Sequence, residues 1–144
     1  MAAQSLGMVM KICGLDYGRK RIGIAVSDEM GIIAHPLPSY QRLSTAKDLA
    51  FFASLVKKEE IGAIVVGLPL NMDNSLGEMA QEVLEFCGVL RSELSLPVYT
   101  HDERLTSIEA ERILAQANVS RQQRKCLRDG LSAVIILQGY LNLL

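Results

Sequence analysis

The run Ile61-Gly62-Ala63-Ile64-Val65-Val66, closed by Gly67, limits what this chain can fold into more than any other segment. It is apolar without alternation and rich in β-branched residues, the pattern of a parallel strand buried on both faces. Such a strand needs a layer on each side, and the flanking sequence supplies helices. Leu49, Phe52, Ala53 and Val56 recur at i, i+3, i+4 and i+7, which predicts a helix over residues 44–60 with a cap-like start at Thr45 and Asp48. Ser75-x-x-Glu78 reads as a capping box opening a helix to about Leu94. Pro97-Val98-Tyr99-Thr100 reads as a further strand. Thr106-x-x-Glu109 caps a helix ending near Asn118, and Ser120-x-x-Gln123 caps a last helix running to Leu144.

Upstream, Ile12-Cys13-Gly14-Leu15-Asp16 reads as a short buried strand and Tyr17-Gly18-Arg19-Lys20 as a turn. Arg21 to Ser27 is the antiparallel hairpin partner, and Ile32-Ile33-Ala34 starts a third strand whose ladder Pro36 and Pro38 limit. The predicted fold is α/β: a mixed five-stranded sheet with an antiparallel hairpin start and parallel later strands, flanked by helices. Residues 1–10 form a short N-terminal extension and 11–144 a single domain.

Composition narrows the function classes. Apolar residues at 49% and charged residues at 22% exclude a disordered chain. Lys plus Arg is 15 against 16 acids, a net charge of -1, so a polyanion would have to bind through a local patch. No apolar stretch reaches the ~18 residues of a membrane span, and no signal peptide is expected. Cys13, Cys87 and Cys126 lie among apolar residues with no CxxC spacing, which predicts buried thiols in a reducing, cytoplasmic setting.

Most acids have helix-surface positions, including Glu59, Glu60, Glu82, Glu85, Glu93 and Glu111. Three places differ. Asp16 ends an apolar strand, where open α/β sheets bind ligands, although a turn-capping role accounts for it equally well. Asp102 and Glu103 follow another strand; neighbours point to opposite faces, so at most one looks into a given site, and the other is free to pair with Arg104. Asp129 opens the apolar part of the last helix, in line with Ala133 and Ile136, where an unpaired carboxylate is costly. It needs Lys125, Arg128 or a metal. A cluster of carboxylates without Cys suits a hard cation, Mg²⁺ or Mn²⁺, and His35 and His101 are too isolated for a zinc site. Paired metals held this way serve phosphodiester hydrolysis.

The strand-to-helix loop Gly67 to Ser75, with Asn71, offers backbone N–H groups to a phosphate, but contains no P-loop motif. Basic residues gather at Arg19-Lys20-Arg21 and at Arg121, Arg124, Lys125 and Arg128, beside the candidate acids. Aromatic residues are sparse, which makes base stacking a minor theme.

Four segments in order resemble the YqgF/RuvX family over about residues 11–142. They are Ile12-Cys13-Gly14-Leu15-Asp16-Tyr17-Gly18 continuing to Asp28, Val66-Gly67-Leu68-Pro69-Leu70-Asn71-Met72-Asp73, Asp102-Glu103-Arg104-Leu105-Thr106-Ser107, and the Asp129 helix with Ala133, Leu137, Gln138 and Tyr140. The loop departs from the family at Asn74, where Gly is usual, and the helix at Arg128 and Gly130. The resemblance implies an RNase H-like fold and a nuclease, acting either on the 5′ end of pre-16S rRNA in ribosome biogenesis or on Holliday junctions. It implies an acidic catalytic set of Asp16, Glu103 or Asp102, and Asp129, with Asp16, Glu103 and Asp129 as ligands to Mg²⁺ or Mn²⁺. Arg19, Lys20, Arg21, Asn71, Arg104, Arg121, Arg124, Lys125 and Arg128 are the expected nucleic-acid contacts. A two-fold junction calls for a dimer, so monomer and homodimer both stay open. Two other readings stand beside it: a nucleic-acid or pre-ribosome binding module without turnover, and a nucleotide-binding domain of the actin/sugar-kinase type suggested by Gly14-Leu15-Asp16-Tyr17-Gly18.

Overall fold

The computed structural model describes residues 10–103 and 121–144, the side chains of 121–130 excepted. The elements are β1 (Lys11–Asp16), β2 (Arg21–Ser27), β3 (Ala34–Gln41), α1 (Thr45–Glu59), β4 (Ile61–Leu68), α2 (Glu78–Leu94), β5 (Val98–Asp102) and α3 (Arg121–Leu141). They build one five-stranded sheet in the order β3-β2-β1-β4-β5. β2 is antiparallel to β1 and β3, while β4 is parallel to β1 and β5. The mixed sheet expected from the sequence is therefore the one observed. The carboxyl ends of β1, β4 and β5 share one edge.

β4 lies inside the sheet, between β1 and β5, with both faces covered. Ile64 and Val66 join Cys13, Leu15, Ile22, Ile24 and Val26 in a core closed by Phe52 of α1 and Val83, Phe86 and Leu90 of α2. Val65 faces the other way and packs with Ala25, Ala133, Leu137 and Leu141 under α3. Cys13 and Cys87 are buried thiols, and burial pushes Cys13 up to about 12. Among the described residues no helix is long and apolar enough to cross a membrane.

The edge strand β3 accommodates both prolines. Ile22 stands opposite Tyr40 and Ile24 opposite Leu37, so Pro38 and Ser39 share the place facing Gly23. This is a bulge, the usual refuge for a residue without an N–H.

Three local expectations need correction. The α1 cap is Ser44, whose Oγ accepts the Lys47 N–H at 3.2 Å, and Thr45 is already helical. Ala53 is exposed, because Leu55 rather than Ala53 completes the buried stripe around Phe52. α2 begins one step past an uncapped Gly77: Ser75 is held back by Asp73, which accepts both its N–H (3.0 Å) and its hydroxyl. Short polar side chains often prefer such local bonds to a helix cap. The proposed caps at Thr106 and Ser120 lie outside the described residues, and the last helix is described from Arg121 and ends at Leu141 rather than Leu144.

Asp48 ties α1 to the sheet. Its carboxylate accepts from the Tyr40 hydroxyl (2.7 Å), the Leu43 N–H (2.9 Å) and Arg42 Nε (3.1 Å). Burial alone would push Asp48 up, but these donors outweigh it and hold the carboxyl below its ordinary value. Arg42 in turn lies over the Tyr17 ring, 5.1 Å from its centroid, and donates to the Gly18 carbonyl. The turn following Asp16 is thus anchored to α1.

Asp48→Ala strands Arg42 in a largely buried position and should cost about 3 kcal/mol in urea unfolding. Because the folded carboxyl titrates below its unfolded value, its stabilisation is present above the ordinary aspartate range and is lost as pH falls through the folded value. Wild-type stability should therefore fall more steeply than that of the variant between about pH 5 and pH 3; parallel pH profiles would refute the assignment.

Candidate functional site: paired carboxylates at the strand ends

Strand alternation sorts the side chains at the carboxyl edge. Along β1, Cys13 and Leu15 face α1 and α2, so Gly14 and Asp16 face α3. Along β5, Val98 joins the α2-side core while Tyr99 and His101 meet Tyr140 of α3. Glu103 continues the second series. The Leu68 carbonyl accepts its N–H at 3.2 Å, extending the parallel ladder one residue past Asp102. Asp102 is exposed and belongs to the opposite face, as period two requires.

Glu103 is half-buried because Gly67 gives it space. A Cβ on Gly67 would collide with Glu103 Oε2 and lie 2.6 Å from Ile136 Cδ1. The carboxylate therefore rests against bare backbone of β4, with Ile136 of α3 beside it. Burial there pushes Glu103 up to about 8, and the negative charge of Asp16 and then Asp102 adds to the shift. Asp16 and Glu103, from strands separated by β4, thus sense each other's charge.

A second glycine brings the helix down. A Cβ on Gly14 would stand 2.6 Å from Leu137 Cβ and 3.3 Å from the Ala133 carbonyl, so α3 packs directly on β1. Asp129 lies in α3 one turn before Ala133. Its side chain, like those of Arg121, Arg124, Lys125 and Arg128, lies outside the described residues, as does Arg104. Among the described residues no group of three Asp, Glu, His or Cys side chains is gathered in metal-binding proximity.

The basic turn divides. Arg19 reaches to α2, where it makes a paired hydrogen bond to Glu82 and lies 3.5 Å from Glu78. Tyr17 also bonds Glu82 at 3.3 Å and packs on Phe86, so this arm lies on the sheet face opposite Asp16 and Glu103. Glu82 is therefore a partnered acid and not simply a solvated one. Lys20 and Arg21 are exposed. Asn71 donates from Nδ2 to Ser75 Oγ at 2.9 Å, and its N–H goes to the Ser75 carbonyl. The N–H groups of Leu70, Asn74 and Ser75 are likewise satisfied within the loop, so these four are not presented to a phosphate.

Gly67 was invisible to motif chemistry because its contribution is a missing side chain. The contact on which it depends appears only when β5 is placed beside β4. Gly67→Ala is expected to shift the melting temperature by only a few degrees, since the atoms it displaces are the free ends of Glu103 and Ile136. In chelator, ¹³C NMR should find the Glu103 carboxyl titrating near 8 in wild type and closer to an ordinary glutamate in the variant. An ordinary value in wild type would contradict the packing described.

The family model described as "RuvX: Holliday junction resolvase" matches residues 10–143. A protein of Halothermothrix orenii named "Putative pre-16S rRNA nuclease" is 47% identical over 133 residues, covering 92% of this chain and 95% of its own length. A Clostridioides difficile protein of the same name is 45% identical over 132 residues, covering 92% and 94%. In fold the chain is similar to T. thermophilus RuvC in complex with Holliday junction substrate (TM-score 0.54, 17% identity, 93% and 94% covered). It is similar also to the Fowlpox virus resolvase with Holliday junction DNA (TM-score 0.58, 11% identity, 92% and 97% covered). These likenesses place the five-stranded sheet among RNase H-like resolvase folds. With a family model spanning nearly all of its length and close relatives named as nucleases, the chain belongs to the RuvX family of nucleases.

Proposed function

We propose that this chain is a divalent-metal-dependent nuclease that hydrolyses phosphodiesters of structured nucleic acid, with the 5′ end of pre-16S rRNA as its substrate. The observation that carries the reading is the placement of Asp16 and Glu103 at the carboxyl ends of β1 and β5, on either side of β4 and on the α3 face, where burial and then the charge of Asp16 raise Glu103. Two carboxylates placed in each other's field at a half-buried edge suit a hard cation, and their oxygen donors fit Mg²⁺ or Mn²⁺. Asp16 and Glu103, with Asp129 from α3, would hold the metal; Asp102 stands on the other face and contributes field only. When bound, such ions activate water and stabilise the leaving oxygen. Gly67 keeps Glu103 against β4, and the Arg42 contact steadies the turn that carries Asp16.

Phosphate contacts are assigned to Lys20 and Arg21, to Arg104, and to Arg121, Arg124, Lys125 and Arg128 of α3. Arg19 is a weaker candidate, since Glu82 already shares its charge. Asn71 contributes by fixing the loop before α2. The names of the close relatives support the rRNA substrate; the family description and the resolvase neighbours support a second reading, cleavage of Holliday junctions by a homodimer. We take residues 11–144 as one domain and, from the buried thiols, the cytoplasm as its compartment.

The decisive assay compares a pre-16S 5′-extended RNA with a four-way DNA junction, each with Mg²⁺ or Mn²⁺. Wild type should cleave the RNA, and Asp16→Asn and Glu103→Gln should each lose at least about 100-fold in rate while remaining folded. Cleavage that survives in Asp16→Asn removes this site. Cleavage of the junction alone selects the second reading, and binding without cleavage under either metal makes the chain a binding module.

A further inference from the structure

Four tyrosines divide between the two faces of the sheet. Tyr17 and Tyr40 are tied into the α1 and α2 side, through Phe86 for one and Phe51 and Phe52 for the other. Tyr99 and Tyr140 lie on the α3 side. Their rings are nearly parallel, 18° apart with centroids at 6.0 Å. His101 meets Tyr140 edge-on at 6.5 Å. A Cβ on Gly139 would fall 2.8 Å from His101 Nε2, so the imidazole lies directly on the helix and leaves no gap in the row.

Tyr99, His101 and Glu103 occupy alternate positions of one strand, so they share a face. Tyr99 is 43% exposed, whereas Tyr140 beneath it is half-buried. Tyr99 therefore keeps a large part of its surface open to solvent, with the nearly parallel Tyr140 ring offset beside it on the α3 side. Four strand positions separate Tyr99 from Glu103, about 13 Å. That distance corresponds to up to about four stacked nucleotides at ~3.4 Å each.

We propose that Tyr99, backed by Tyr140, is a platform on which an unpaired nucleobase stacks while a phosphate a few nucleotides away lies at Asp16 and Glu103. This rests on the nuclease reading of the acid pair and narrows its substrate to nucleic acid with a single-stranded segment beside the cleavage point. A paired base offers no free face to Tyr99, because its neighbours in the duplex cover both sides. Unstacked bases are what aromatic side chains take up, with little dependence on sequence. Among the described residues β5 is the edge strand, and Tyr99 and His101 lead along it toward Glu103.

The test is a binding measurement that needs no cleavage. Fluorescence anisotropy in EDTA compares a labelled single-stranded 10-mer, as RNA and as DNA, with the matching duplex, on wild type, Tyr99→Ala, Tyr99→Leu and Tyr99→Phe. Loss of one base–aromatic stack should weaken single-strand binding by about 5- to 100-fold in the Ala and Leu variants. Phe should restore it, duplex binding should be unchanged, and the salt slope should stay the same because no phosphate contact is removed. Single-strand binding by Tyr99→Ala and Tyr99→Leu within about twofold of wild type, or an equal loss on the duplex, overturns the platform. The RNA and DNA arms show which strand it takes. Stacking without any cleavage by wild type sinks the nuclease reading alone, and cleavage without stacking sinks only the platform.

Discussion

How near α3 comes to the sheet governs everything on that side of the molecule. Two glycines set the distance: at Gly14 the helix backbone sits where a side chain would otherwise be, and at Gly67 Ile136 and Glu103 share the space. Close packing of this kind forfeits the apolar area of two side chains but gains dispersion contacts along a helix whose Ala133, Ile136 and Leu137 are fully buried. The same approach sets Ala133, one turn after Asp129, against β1 at Gly14. Fold and site therefore rest on one geometric condition, and a wider helix–sheet gap would move α3, the helix that carries Asp129, away from the sheet that carries Asp16 and Glu103.

The charge balance takes on a different meaning once the faces are separated. On the α1 and α2 side, acids are matched locally: Glu82 with Arg19, Asp48 with Arg42. On the α3 side, burial, with the charge of Asp16 and then Asp102 adding to it, holds the Glu103 carboxyl far above its usual range. A net charge of -1 conceals this division. The turn after Asp16 joins the two regimes, since Tyr17 and Arg19 point to one face while Asp16 points to the other.

Much of this was legible in the sequence. The two-sided burial of β4 follows from an unbroken apolar run, and the span of β2, Arg21 to Ser27, from its reading as the hairpin partner of β1. That Asp102 and Glu103 diverge follows from strand periodicity alone; which of them meets Asp16 depends on the register with β4, which no local pattern contains. Ser75 was misleading because a capping box and a local Asp73–Ser75 turn use the same residue types. Arg19 looked like part of a basic patch until the position of α2 was known. Tyr99 and His101 already stood at alternate positions before Glu103, but the ring behind them comes from the far end of the chain. Apart from the local Asp73–Ser75 turn, what could not be read ahead was a contact between elements distant in sequence.

The bulge at Pro38 has a consequence for how copies of this chain can meet. A sheet edge with an intact row of N–H and C=O groups invites another strand to add to it, and many proteins dimerise or aggregate in that way. In β3 two prolines remove donors, and the shifted register bends the strand away from a straight ladder. That edge is closed to continuous strand addition, so the sheet does not extend from one molecule into the next through β3. A symmetric pair that met at this edge would have to be built from side chains rather than from backbone.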